Sequence, residues 1–221
     1  MGRKIIYFII GVLILLFLFS LDFGLIKIST LSSTTAATDE PIATSDEPTL
    51  SLSIDPFIEA NGIVVIECEH YNNKMPGDLH EWELNTDHKG YSGEGAMEVS
   101  PNNDFSWMSN YAETSPELFY KVVFKTTGRY YIWLRGYGAD DHSDSVHIGL
   151  DGNAVQSSKA LALTIGQYGW LNKTYDWDRS YIDIPKTGLH EINLWAREDG
   201  SIIDKIILAT NPDYTPDSSG R

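Results

Sequence analysis

The chain has a single cysteine, Cys68, in 221 residues, so no intramolecular disulfide exists and stability must come from a packed core or a bound ion. Cys68 lies in "VVIECEH", between two glutamates on an expected strand. Alternation points it away from them and toward the apolar side, as a buried, inert thiol rather than a nucleophile. Positive charge is scarce as well. Sixteen Lys and Arg face 31 Asp and Glu, for a formal net charge of −15. Residues 57–221 alone hold 13 basic and 25 acidic side chains, a formal charge of −12. Such a surface repels phosphate backbones and offers no polybasic membrane patch, so nucleic acid is excluded as a partner. The histidines show no His-x-x-x-His or Cys/His spacing, and a zinc site is not indicated.

Long apolar runs are missing too, with one exception. After Arg3 and Lys4 comes a run of seventeen residues, Ile5 to Leu21, apolar apart from Gly11 and Ser20. Its length falls between the ~7 to 15 of a secretory h-region and the ~20 of a membrane span. The small residues of a cleavage site are absent from "LDFGLIK", which follows. Residues 1–28 therefore read as a signal-anchor helix, with Arg3 and Lys4 on the cytoplasmic side and everything after Lys27 outside. The alternative is a cleaved signal peptide and a secreted protein. The expected location is the cell membrane, single-pass, with the C-terminal domain outside the cytoplasm and membrane contact through the N-terminal segment only. Residues 29–56 are rich in Ser, Thr, Ala and Pro with few large side chains; they cannot bury enough surface to fold and read as a disordered linker, or stalk.

Beyond residue 60 no stretch sustains helical periodicity for three turns. Strands broken by Gly, Asn and Asp are expected at Ile63–Glu69, Glu81–Leu84, Gly95–Val99, Leu118–Phe124, Arg129–Arg135, Ser145–Leu150, Leu161–Ile165, Tyr181–Ile184, Leu189–Arg197 and Ile203–Leu208. So many short, half-buried strands predict an all-β fold, a two-sheet antiparallel β-sandwich of the jelly-roll kind, over residues 57–216 with a tail at 217–221. "LDGNA" reads as a hairpin turn on Asp151 and Gly152. "TGRYYIWLR" and "TGLHEINLW" align without a gap. Their inward faces are then Tyr130, Ile132 and Leu134 on one strand and His190, Ile192, Leu194 and Ala196 on the other. Their outward faces collect Tyr131, Trp133, Arg135, Asn193, Trp195 and Arg197. His190 reads as a hydrogen-bonded histidine at the core edge.

"VVIECEHY", then "GYSGEGAMEV", then "SPELFYKVVFKTTGRYYIWLRGYG" with "DSVHIGLDG", and finally "REDGSIIDKIILATNPDYTP" occur in that order. Together they resemble non-catalytic carbohydrate-binding modules of families 6 and 35, which are galactose-binding-domain-like β-jelly rolls. The resemblance implies a structural calcium ion held by an acidic pair on the first strand and an aspartate on the last, here Glu67, Glu69 and Asp204. The chemistry agrees, since Glu67 and Glu69 project from one side of a strand and Ca²⁺ takes several oxygen ligands. The bland alternative is an exposed polar face and a turn acid. The acidic loop "ADDHSD", Asp140 to Asp144 among its residues, lacks the Gly and terminal Glu of a helix-loop-helix calcium site and reads as a solvated loop able at most to take a second ion.

The same resemblance implies sugar recognition by aromatic side chains on the loops at one end of the sandwich, here around Tyr91, Trp107, Trp170, Trp177, Glu198 and Asp199. Pyranose C–H faces lie flat on such rings while polar side chains take the hydroxyls. Relatives carry an asparagine two residues before the calcium-binding aspartate; this chain has Ile202 there. A second possible surface is a sheet face of Trp133, Arg135, Trp195 and Arg197, formed if their strands are neighbours. Its rival is a small second core covered by a loop. The expected function is a membrane-tethered, extracytoplasmic, non-catalytic module that binds a polysaccharide or glycan. A protein-interaction or adhesion domain is the alternative. A small hydrolase or lyase using Glu81 with Glu83, or Asp176 with Asp178, is a third reading.

Overall fold

Alternating burial along short segments builds two stacked sheets. The structure, a computed structural model, describes residues 55–218; the expected anchor, nearly all of the linker and the last tail residues lie outside them. Fourteen strands follow in chain order: β1 (Phe57–Ile58), β2 (Ile63–Glu67), β3 (Asn73–Met75), β4 (Glu81–Asn85), β5 (Ala96–Ser100), β6 (Glu117–Phe124), β7 (Gly128–Tyr137), β8 (Ser145–Leu150), β9 (Asn153–Ala154), β10 (Leu161–Ala162), β11 (Gly169–Leu171), β12 (Tyr181–Ile184), β13 (Gly188–Ala196) and β14 (Ile202–Ala209). One helical turn, α1 (Tyr111–Thr114), precedes β6. All ten expected strands are present, and β8 and β12 keep their expected bounds. β10 is assigned only to Ala162, although the Leu163 amide still donates to the Asp144 carbonyl at 2.7 Å, one step further along the same register with β8.

One sheet has the order β1-β6-β13-β8-β10, with β3 also on β6 and β9 on β8; the other has β11-β7-β14-β5-β4, with β12 also on β7 and β2 on β14. Between strands every pairing is antiparallel except β1 with β6. The β8–β9 hairpin turns on Asp151 and Gly152, with φ of 51° and 73°, as a two-residue loop with positive φ at both positions requires. Tyr130, Ile132 and Leu134 of β7 and Ile192 and Leu194 of β13 lie in one core cluster. Cys68 is buried, and burial pushes its thiol well above the ordinary range. His190 is buried, with Nδ1 2.7 Å from Asp151 Oδ2 and Nε2 2.9 Å from the Lys186 carbonyl.

The two segments that look alike in sequence are not neighbours. β7 and β13 belong to different sheets, so Trp133 and Arg135 cannot share a face with Trp195 and Arg197, and the proposed four-residue sheet surface does not form. Both outer faces are instead partly covered. Trp195 is fully buried; Gly149 leaves room for its ring, since an added Cβ there would come within 2.2 Å of it. Tyr111 of α1 stacks on His147 at 3.6 Å and 11°, and His147 stands opposite Trp195 in register. Burial lowers the His147 pKa to about 3, which keeps the ring neutral, with Nδ1 accepting from the Ala160 amide and Nε2 left to donate to the Trp107 carbonyl. On the opposite sheet the Arg179 guanidinium lies 4.5 Å over Tyr131, and Arg135 lies 5.2 Å over Tyr168.

Glu59 ties the start of the described chain to the β6–β7 turn. Its carboxylate accepts from the Gly62, Lys125 and Thr126 amides, from Thr126 Oγ1 and from Tyr130 Oη at 2.6 to 3.1 Å. Burial pushes its pKa up, but the hydrogen bonds from Tyr130, Thr126 and the two amides outweigh it and hold the group at about 2, against an ordinary 4.5. A depressed carboxyl pKa contributes stability above the unfolded value that fades as pH falls toward the folded one. Replacing Glu59 by Ala is therefore expected to lower unfolding free energy by ~2 to 3 kcal/mol at pH 7. In urea titrations that gap should narrow below pH 4.5; a gap that is the same at pH 7 and pH 3 would show that the charge plays no part.

Candidate functional site

Two places gather the side chains that the sequence singles out. The first is a corner where the terminal strands meet. In register, Lys205 of β14 stands opposite Glu67 of β2 on one side and opposite Arg135 of β7 on the other. A bulge between Ile203 and Lys205 takes Asp204 out of the alternation, so its carboxylate meets the same row. Lys205 Nζ lies 2.7 Å from Glu67 Oε1, and Arg135 Nη1 lies 2.5 Å from Asp204 Oδ2. Ser92 joins the two acids, its hydroxyl donating to Glu67 Oε2 at 2.8 Å and its amide to Asp204 Oδ1 at 2.6 Å. Glu69 arrives beside them, Oε1 accepting from the Glu94 amide at 2.9 Å while Oε2 is buried without a partner. Gly93, at φ 64°, allows this approach, because an added Cβ would sit 2.0 Å from Glu69 Oε1. Burial pushes the carboxyls of Glu69 and Asp204 above the ordinary range, opposed at Asp204 by Arg135.

The donor set fits calcium in kind, as three hard carboxylates with one orphaned buried oxygen. A bound ion would share Glu67 with Lys205 and Asp204 with Arg135. Among the described residues no three His, Cys, Asp or Glu side chains are already arranged around a metal position.

The second place is a cleft of about 290 Å³ at the rim of the sandwich, between the loop after β7 and the loop joining β11 to β12. Leu163, Ile165 and Leu171 form its apolar wall, Tyr175 and Trp177 its aromatic edge, and Asp144 its acid. Trp177 is 72% exposed at φ 62°, in a turn closed by its own amide on the Thr174 carbonyl. A bulky residue in the left-handed region with its ring in water is an unusual expenditure of apolar surface. Along this turn Tyr175 and Trp177 face the cleft, while Asp176 and Asp178 line a larger polar groove of about 650 Å³ with Lys159 and Arg179.

The acid of the cleft is held from behind. Asp144 Oδ1 accepts from Tyr175 Oη, and Glu198 Oε2 accepts from the Asp144 amide at 3.0 Å and from Ser145 Oγ at 2.8 Å. Arg197 pairs with Glu198, donates to Ser145 Oγ at 2.6 Å and stacks 4.4 Å over the Tyr175 ring. Burial raises the Glu198 carboxyl; burial and the bond to Asp144 raise the Tyr175 hydroxyl.

Of the expected ligand residues, Trp177 lies in the cleft and Arg197 and Glu198 lie directly behind it. Trp107 and Asp199 share a loop cluster with Glu198 but turn inward. Trp107 is buried, with its indole nitrogen 3.2 Å from Asp78 Oδ2, and Asp199 is buried with Oδ2 2.6 Å from the Asn103 amide and 3.3 Å from His80. Trp133 and Trp170 lie half-buried on the outer face of the β7 sheet, Trp170 opposite Arg135 in register, and Tyr91 is half-buried beside Lys89. Of the other polar and aromatic residues of the cleft, Tyr175 was not singled out, and Asp144 was read only within the acidic loop as part of a possible second ion site. Tyr175 was legible, being two residues from Trp177 in "TYDWD". Asp144 sits 31 positions from Tyr175, and no spacing rule connects them.

The family model described as the glycosyl hydrolase family 115 C-terminal domain matches residues 56–218. A protein of Formosa agariphila, described as uncharacterized protein P23, is 27% identical over 196 residues, covering 74% of this chain and 48% of its own. The chain thus spans about half the length of that curated relative. Among solved structures, CBM35 from Paenibacillus barcinonensis superposes at 15% identity and a TM-score of 0.46, over 66% of this chain and 98% of that one. The C-terminal CBM6 of LamC, a marine laminarinase from Zobellia galactanivorans, does so at 18% and 0.42, over 67% and 99%.

The terminal corner makes its own prediction. Asp204 is fully buried and paired with Arg135, so Arg135→Met strands a carboxylate away from water and is expected to cost about 3 kcal/mol. Ser92→Ala, which keeps the ion pair and the Ser92 amide, should cost about 1 kcal/mol. Urea unfolding of the two variants checks the order; equal losses would remove the ion pair as the main clasp.

Proposed function

Because the chain belongs to the glycosyl hydrolase family 115 C-terminal domain family, we propose that it is a non-catalytic, carbohydrate-binding β-sandwich that takes a glycan in the rim cleft. The observation that carries this reading is Trp177, held in an unfavourable backbone conformation with its ring in solvent, beside Tyr175 and above an apolar floor with a single carboxylate. This is the arrangement on which a pyranose stacks while an acid orders its hydroxyls. Glycoside hydrolysis uses two carboxyls flanking one bond. Here Glu198 is enclosed by Ser145, Arg197 and the Asp144 amide and does not line the cleft. Glu81 is paired with Lys74, and Asp176 and Asp178 face away from Trp177. These placements support a binding role without turnover.

The same proposal includes a calcium ion at Glu67, Glu69 and Asp204, supported by the orphaned Glu69 oxygen, and an extracytoplasmic tether supplied by residues 1–28. A bound calcium would satisfy that oxygen and fasten β2 to β14.

Trp177→Ala is expected to lower glycan affinity by at least tenfold, with an unchanged melting temperature, because the ring it removes is mostly exposed. Trp195→Ala should instead lower stability by ~3 to 5 kcal/mol. Affinity electrophoresis and thermal melting separate the two; retained binding by the Trp177 variant would move the site elsewhere. Calcium added to chelator-treated protein is expected to raise the melting temperature. No shift at millimolar calcium would leave Arg135 and Lys205 as the whole clasp.

A further inference from the structure

Resting on the glycan reading above, the charge arrangement of the rim cleft specifies which glycans enter it. Asp144 is the one carboxylate, and there is no cation, among the described residues that line it. The Asp144 residue is buried, at 8% exposure, and its carboxylate accepts a bond from Tyr175 Oη. That bond uses the tyrosine proton and leaves Asp144 with lone pairs only. A ligand that meets it must therefore bring donors. Hydroxyls and ammonium groups qualify; carboxylate and sulfate groups do not.

The nearby cation does not reverse this sign. Arg197 lies outside the lining residues, is paired with Glu198 and has its guanidinium on one face of the Tyr175 ring. A sugar reaches only the other face. On the loop that carries Asp144 the exposed acids, Asp140 and Asp141, are again negative, whereas Asp176 and Asp178 face the polar groove and add nothing to the cleft. His142, next to Asp141, is exposed and lies 3.7 Å from that acid. Across the polar groove Lys159 and Arg179 stand on the other side of the Thr174–Asp178 turn from the cleft.

We infer that the rim cleft selects neutral or amino sugars and rejects uronate and sulfated ones, with Asp144 as the residue that decides. Stacking on Trp177 and Tyr175 is common to every pyranose, so it gives affinity without sorting by charge. The acceptor at the base does the sorting, because an anionic substituent near it finds repulsion and no proton to share.

The test uses the full chain and four immobilised polysaccharides in two matched pairs, galactan with polygalacturonate and a glucan with a glucuronan, at low and high salt. Neutral members are expected to bind at least tenfold more tightly than their uronate partners at low salt, with the gap narrowing as salt screens it. Asp144→Asn should shrink the same gap, whereas Trp177→Ala should weaken both members alike. Equal or tighter uronate binding by the unaltered chain overturns the inference and leaves the glycan reading standing. Failure to bind any of a wide panel of neutral and acidic glycans overturns that reading, and this inference falls with it.

Discussion

A strand buried on both faces dictates the rest of this molecule. All eight residues of β14 are buried, including Lys205 and Asp204, and β14 bonds to β2, β5 and β7. Such a strand cannot lie in an ordinary two-layer sandwich with one face in water. Its outer side has to be roofed by its neighbours. This is why β7 carries large side chains on both faces: Tyr130, Ile132 and Leu134 fill the core, and Tyr131, Trp133 and Arg135 form a second layer closed by Arg179 and Tyr168. The opposite sheet repeats the solution with Trp195, His147 and Tyr111.

Roofing both faces moves recognition to the rim. A glycan needs an accessible ring, and the two indoles most prominent in the sequence, at 133 and 195, are committed to packing. Trp177 is free because the turn that carries it crosses between the edge strands β10 and β11, where its backbone bonds to Ala160 and Ala162 occupy the turn's main chain and leave the ring outside. The bonded main chain of the turn fixes where the ring starts while leaving it uncovered. That is the preorganisation a weakly binding sugar site depends on.

Burial of acids is the recurring device. In a chain with a net charge of −15, Glu59, Glu198 and Asp204 each leave water only with a complete set of donors: backbone amides and Tyr130 for the first, Ser145 and Arg197 for the second, Ser92 and Arg135 for the third. The strands were legible because alternation is a local property, and so was the pairing of inward faces. Which strands lie side by side was not. Alternation assigns a residue to a face without saying which sheet that face belongs to, and the likeness of β7 and β13 suggested neighbours where the chain built opposite layers. β1, β3, β9 and β11, of two or three residues each, are too short for any period to show. Trp107 was expected at the sugar-binding end, yet it is buried, with its indole nitrogen donating to Asp78 Oδ2. The cleft was half legible: Trp177 was found, but Asp144 is brought to it by a loop from a distant strand pair.

The position of β14 also governs when the domain can exist during synthesis. The last strand of the sandwich in chain order is central to its sheet, so β2, β5 and β7 leave the ribosome with open edges and wait for residues 202–209 before they can be joined. Before that strand is made this sheet has only its β4–β5 pairing and those of β7 with β11 and β12, because the contacts that join them run through β14 and close late. A message cut short before that strand would release not a smaller sandwich but a polypeptide with unpaired, aggregation-prone edges.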